Sequence, residues 1–178
     1  LSGLVNNGRD VTLNGGGATL DGTGTITNDD AVPGIICPAN ISMNAAPGVC
    51  NATVTVTLPT ISSLCGASTL EFRYRPVDAA DVPTGPYNAY APAASNSVNF
   101  TVGRYEVEWQ ITDGSGSSVC TFFLEVVDNQ PPVAQCVPNF TLNLNGAGTG
   151  SITPADINNG STDNCSIANL AVAPNSFT

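Results

Sequence analysis

Around Val54 the chain reads Ala-Thr-Val-Thr-Val-Thr-Leu, and around Trp109 it reads Tyr-Glu-Val-Glu-Trp-Gln-Ile-Thr. Apolar residues fall at every second position, the period at which successive side chains of an extended strand point to opposite faces. The same alternation, rich in Val, Thr, Ile and Phe, predicts strands at Asp10–Leu13, Gly24–Thr27, Asn40–Ala45, Ala52–Leu58, Thr69–Tyr74 and Ser97–Val102. It continues at Tyr105–Thr112, Val119–Val127, Thr141–Leu144, Gly150–Ile152 and Leu170–Val172. Helical periodicity is nearly absent. In the strand around Trp109, Tyr105, Val107, Trp109 and Ile111 share the face expected to pack the core, and Glu106, Glu108 and Gln110 alternate outward. Short strands separated by clusters such as "NGGG", "DGSGSS" and "NGAGTG" predict β-sandwiches rather than a parallel α/β sheet.

Two proline-marked joints divide this pattern. "TITNDDAVP" ends a Thr-rich run at Asp29-Asp30 before Pro33, and "DNQPP" follows Val127 at Asp128 to Pro132. Each is followed within a few residues by a cysteine, Cys37 or Cys136. An acidic exit, a proline and a cysteine thus recur about 100 residues apart, the mark of tandem domains. Proline stiffens such linkers and removes a donor that an added strand would need.

Composition narrows the function. The 178 residues carry four Arg and no Lys or His against 14 carboxylates, for a net charge of −10. Nucleic acid needs a basic footprint, and anionic membrane surfaces attract basic segments, so neither is an expected partner. Without histidine, Ser-His-Asp and Cys-His chemistry cannot be assembled. A carboxylate pair could still cleave glycosides, but the four Glu lie in or beside strands, so a non-catalytic protein with no catalytic residues is expected. Charged residues make up 10% of the chain, against roughly 25% in ordinary soluble domains. Cys37, Cys50, Cys65, Cys120, Cys136 and Cys165 form no C-x-x-C pair, which favours disulfides in an oxidising compartment over zinc. No apolar run approaches the ~20 residues of a membrane span, no signal peptide opens the chain, and an excerpt of a longer exported protein is expected.

The stretches "ICPANISMNAAPGVCNATVTV", "LCG" and "FTVGRYEVEWQITDGSGSSVCTFFLEVVD" resemble a hyalin repeat (HYR) domain, an immunoglobulin-like sandwich of extracellular proteins. The elements F-x-V-G, T-D-x-x-G and C-x-F-x-x-x-V carry the likeness, and "RPVDAADVPTGPYNAYAPAASNS" is longer than that pattern expects. Residues 1–31 resemble the last strands of a Calx-beta domain, and residues 130–178 the first part of another Ig-like repeat of large bacterial surface proteins. The resemblance implies an all-β chain of tandem Ig-like β-sandwiches. A complete unit at 32–129 would stand between partial ones at 1–31 and 130–178. It implies a structural segment of a cell-surface adhesin or fibre, whose partners are neighbouring domains or copies of the protein. The alternative is a module that binds surface carbohydrate or protein. Partial sandwiches also expose edges that a neighbouring copy's strand can complete.

Candidate sites follow from that picture. In an Ig-like sandwich the first strand runs parallel to the last, which implies a Cys37–Cys120 disulfide. Cys50 and Cys65 then pair by elimination, with the partners of Cys136 and Cys165 placed beyond Thr178. Linker carboxylates meet the loops of the following unit, so Asp29 and Asp30 are expected near Asp113, and Asp128 near Asp163. Either set could supply oxygens to Ca²⁺, or simply cap turns. Tyr87 and Tyr90, in "TGPYNAYAP", are candidates for an exposed binding tip, unless their loop folds over its own sheet. Asn40, Asn51, Asn99, Asn139, Asn159 and Asn164 lie in glycosylation sequons, most of them attributable to an Asn- and Thr-rich composition.

Overall fold

The computed structural model describes residues 31–178. The strands expected at Asp10–Leu13 and Gly24–Thr27, and all but the last residue of the 1–31 unit, lie outside them.

The described chain is all-β, as the alternation predicts. In order it forms β1 (Gly34–Ile36), β2 (Ile41–Asn44), β3 (Asn51–Thr55), β4 (Thr60–Ser62), β5 (Thr69–Val77) and β6 (Ala91–Pro92). Then come β7 (Ser97–Thr101), β8 (Gly103–Thr112), β9 (Ser117–Val127), β10 (Gly150–Ser151), one helical turn α1 (Pro154–Ile157) and β11 (Ser176–Phe177). A five-stranded sheet runs β2-β9-β8-β5-β6, with two-stranded sheets β1-β4, β3-β7 and β10-β11. Among the described residues, no helix is long and apolar enough to cross a membrane.

The described chain groups into two compact units interleaved along the sequence. The first takes residues up to Ile41 with Thr55–Val98 and Arg104–Leu124. Its frame is the antiparallel β5–β8 pair, in register from Thr69 opposite Thr112 to Val77 opposite Arg104. That register sets Phe72 opposite Trp109 and Leu70 opposite Ile111 on one face. Phe72 and Trp109 meet at 5.0 Å between ring centroids. Val107, Trp109 and Ile111 are fully buried, and the indole N–H donates to the Thr57 carbonyl at 3.1 Å. A buried indole costs free energy unless its donor is satisfied, so this bond lets the largest side chain sit in the core.

The second unit comprises Ser42–Val54, Asn99–Gly103 and Glu125–Thr178. Ala45, Ala52, Val54, Phe100 and Val126 supply its buried apolar residues. From Pro131 to Thr178 no residue is buried, and the stretch is held by the short β10–β11 pair and two isolated bridges, Val133–Thr162 and Cys136–Asn158.

Two expected strands do not form. Thr141–Leu144 and Leu170–Val172 alternate as strands do, yet neither has a ladder to join. Extended backbone becomes a strand only when its N–H and C=O groups find a neighbour. Conversely β1, β4, β6 and β11 are too short to show a period and arise from pairing alone.

Candidate functional site

The polar face of β5 and β8 carries the densest chemistry. Their register places Arg73 opposite Glu108 and Arg75 opposite Glu106. Arg73 Nε donates to Glu108 Oε1 at 2.8 Å, and Arg75 Nε to Glu106 Oε2 at 2.6 Å. Opposite charges directly across an antiparallel pair stabilise the sheet, and the forked guanidinium suits the carboxylate.

The long segment after β5 closes over this face. Asp78 nucleates its turn, its carboxylate accepting from the N–H groups of Ala80 and Val82. Thr84 N–H then donates to the Pro76 carbonyl, Asn88 exchanges hydrogen bonds with the backbone of Tyr74, and β6 pairs with β5. This brings the rings of Tyr87 and Tyr90 onto the guanidiniums. Arg73 lies 4.2 Å from the Tyr87 centroid and 4.5 Å from that of Tyr90, and Arg75 lies 4.3 Å from that of Tyr87. Tyr90 also donates its hydroxyl to Glu108 at 2.5 Å.

Burial, reinforced by the hydrogen bond to Glu106, pushes the Tyr87 phenol up to about 12. Burial and the bond to Glu108 do the same for Tyr90, again to about 12. The hydrogen bond to Glu108 raises Arg73, against a smaller lowering by burial. Glu108 is 8% exposed, so this part of the outward face is covered by the chain's own loop. Of the two arrangements open to the Tyr87–Tyr90 loop, the structure shows the second: both tyrosines are half-buried and fold onto their own sheet, where cation–π stacking and a carboxylate partner are available. The clue was present in the two strands, R-x-R in β5 and E-x-E in β8, which register at period two.

The structure joins Cys37 to Cys120, with Cα atoms 5.6 Å apart. Cys50, expected to pair with Cys65, is joined instead to Cys165, with Cα atoms 4.6 Å apart. The elimination assumed that 32–129 closes its own bonds, whereas the turn after β2 meets the C-terminal stretch. Gln130 clasps that turn, accepting from Gly48 N–H at 2.8 Å and donating to the Ala46 carbonyl at 3.1 Å. Asn164 Nδ2 donates to the Val49 carbonyl at 3.1 Å. Cys65 belongs to neither disulfide, and Cys136 is an exposed thiol.

Asp128, Asp163 and Cys165 lie with their donor atoms within 4.8 Å of one another. The Cys165 sulfur is spent in a disulfide. Asp128 accepts from Gln130 N–H and Asn164 Nδ2, and Asp163 from Cys165 N–H. Two carboxylates supply at most four of the six to eight oxygens that calcium takes, the rest falling to carbonyls and water. Asp113 behaves alike. Ser115's hydroxyl, then the Cys65 N–H, hold its carboxyl down at about 2, with the Ser115 and Gly116 N–H groups adding to the effect. The Ser115 hydroxyl also reaches the Ala31 carbonyl at 3.0 Å, next in sequence to Asp29 and Asp30, which lie outside the described residues.

Compared with protein-family models and with curated proteins, the chain matches none.

Proposed function

We propose that the chain is a structural segment of an extracellular surface adhesin or fibre, an HYR-like repeat that works by resisting unfolding and proteolysis rather than by turning over a substrate. The carrying observation is the pair of disulfides whose loops overlap along the sequence, Cys37–Cys120 and Cys50–Cys165, with separations of 83 and 115. Such long loops lose much denatured-state entropy when closed, and they persist only in an oxidising compartment. The engagement of Tyr87 and Tyr90 with Arg73, Arg75 and Glu108 favours this reading over a binding tip, since a ligand would have to displace contacts already made.

The test is protease resistance and melting temperature with and without a dithiol reductant, alongside a glycan array. Oxidised protein that resists digestion, loses that resistance on reduction and binds no glycan supports the structural role. Glycan binding abolished by Tyr87→Ala and Tyr90→Ala would replace it with the module reading.

A further inference from the structure

The stretch from Cys37 to Gly48, "CPANISMNAAPG", returns about 100 residues later as "CVPNFTLNLNGA" from Cys136 to Ala147. Both stretches end in a turn closed by the same inner hydrogen bond, while the outer bond spans five residues in one and four in the other. In the first stretch Ala46 N–H donates to the Asn51 carbonyl and Val49 N–H to that of Ala46. In the second, Asn145 N–H donates to the Thr149 carbonyl and Gly148 N–H to that of Asn145. Gly48 and Gly148 both take a left-handed backbone, at φ 75° and 77°, with Gly48 one position earlier in its turn than Gly148 in its own.

What differs is the neighbour. The first stretch pairs with β9: Cys37 is bonded to Cys120, Phe123 N–H donates to Asn40 Oδ1 at 2.9 Å, and Ala45 N–H donates to the Val127 carbonyl at 2.8 Å. These contacts advance together along both segments, so the two run parallel. In the second stretch Cys136 and Asn139 keep the same spacing and are exposed. Phe140 and Leu144, the counterparts of Ile41 and Ala45, are 44% and 47% exposed, whereas Ala45 is 6% exposed. Phe140–Leu144 belongs to no strand. The cysteine and asparagine that hold β9 in one place recur at the same spacing in the other, where the Cys136 backbone bridges Asn158 and the Cys136, Asn139 and Phe140 residues are exposed.

We propose that Cys136, Asn139 and Phe140–Leu144 form a docking edge for a partner β-strand of the β9 kind. That partner is extended, apolar at alternate positions, laid parallel, and carries a cysteine three residues before the N–H that Asn139 accepts. The seal is a thiol–disulfide exchange. The Cys136 thiolate attacks the partner's cysteine sulfur, held as a mixed disulfide. The new S–S bond forms as the old one breaks, and the original thiol departs as thiolate with no net redox change. This edge is independent of whether the protein adheres to anything.

The probe is a synthetic peptide of residues 117–128, "SSVCTFFLEVVD", with its cysteine activated as a pyridyl disulfide, added to the oxidised full chain. Released pyridinethione gives the rate and peptide mapping the site. Docking raises the effective concentration at the thiol. The native-order peptide should therefore label Cys136 about tenfold faster than a scrambled peptide keeping the cysteine position, and Asn139→Ala with Phe140→Ser should remove most of that advantage. Equal rates for the two peptides would overturn the proposal, as would preferential labelling of Cys65. So would labelling of Cys136 that the double variant leaves untouched. Circular dichroism of the variant guards against misfolding; should it unfold, the two-peptide comparison on the unmodified chain decides.

Discussion

Glu108 does more than its neighbours on the polar face. It accepts from Arg73 and from Tyr90 while 8% exposed, so removing it strands a guanidinium and a phenol together. Glu108→Ala should cost about 2 kcal/mol in denaturant unfolding, the scale of a lost hydrogen bond to a charged group. Trp109→Ala, which opens a cavity and orphans the Thr57 carbonyl, should cost about 3–5 kcal/mol. The tyrosines set an alkaline limit. Both phenols titrate near 12 in the fold against 10.0 ordinarily. Their stabilisation is whole below 10 and fades as pH rises toward 12, because the unfolded chain sheds protons that the folded chain keeps. Melting temperature should therefore fall through that window, and Tyr87→Phe and Tyr90→Phe should each remove a late phenolate absorbance and lessen the fall.

Among elements, β5 and β8 were legible because one face of each is largely apolar and the other largely polar, so period two is written into their residues, while β9 was legible from its β-branched and aromatic residues. Their ends were not: β5 runs to Val77 and β8 begins at Gly103, extensions that come from matching each other's length. Thr141–Leu144 shows the converse, a strand pattern with no neighbour. Residue type reports a tendency to extend, and only topology supplies the partner. The site was half legible for the same reason. Tyr87 and Tyr90 stood out as unusual, but where their rings would lie depended on an Arg–Glu register that only strand pairing reveals. The stretch from Pro131 to Thr178 buries no residue, so apolar burial offsets little of its ordering entropy. Its fastening to the turn after β2 rests on Cys165, Asn164 and Gln130. Cys165→Ser should leave digestion of the Trp109 core unchanged while protease cuts beyond Pro132, read by mass spectrometry of the fragments.

For the whole molecule, the two disulfide loops overlap along the chain. With Cys37–Cys120 closed, the covalent path from Cys50 to Cys165 shortens to roughly 60 residues, so the second bond adds about 4 kcal/mol in chain-entropy terms and the pair is less than additive. Reducing one should therefore destabilise less than half as much as reducing both, which stepwise variants Cys120→Ser, Cys165→Ser and the double can measure by chemical denaturation.

The overlap also dictates an order of events at birth. A chain delivered from its amino end into an oxidising space presents Cys37, Cys50 and Cys65 long before Cys120, and Cys120 long before Cys165. The first bonds within reach are then wrong ones: Cys37–Cys50 blocks both correct pairings, and Cys37–Cys65 or Cys50–Cys65 blocks one, until exchange frees the thiol. A chain caught in such a bond needs thiol exchange to mature, which an isomerase supplies and which thiols kept reduced until Cys165 arrives avoid. Oxidation of the denatured chain without thiol present should trap short-range isomers of these three cysteines, and catalytic disulfide isomerase should release them.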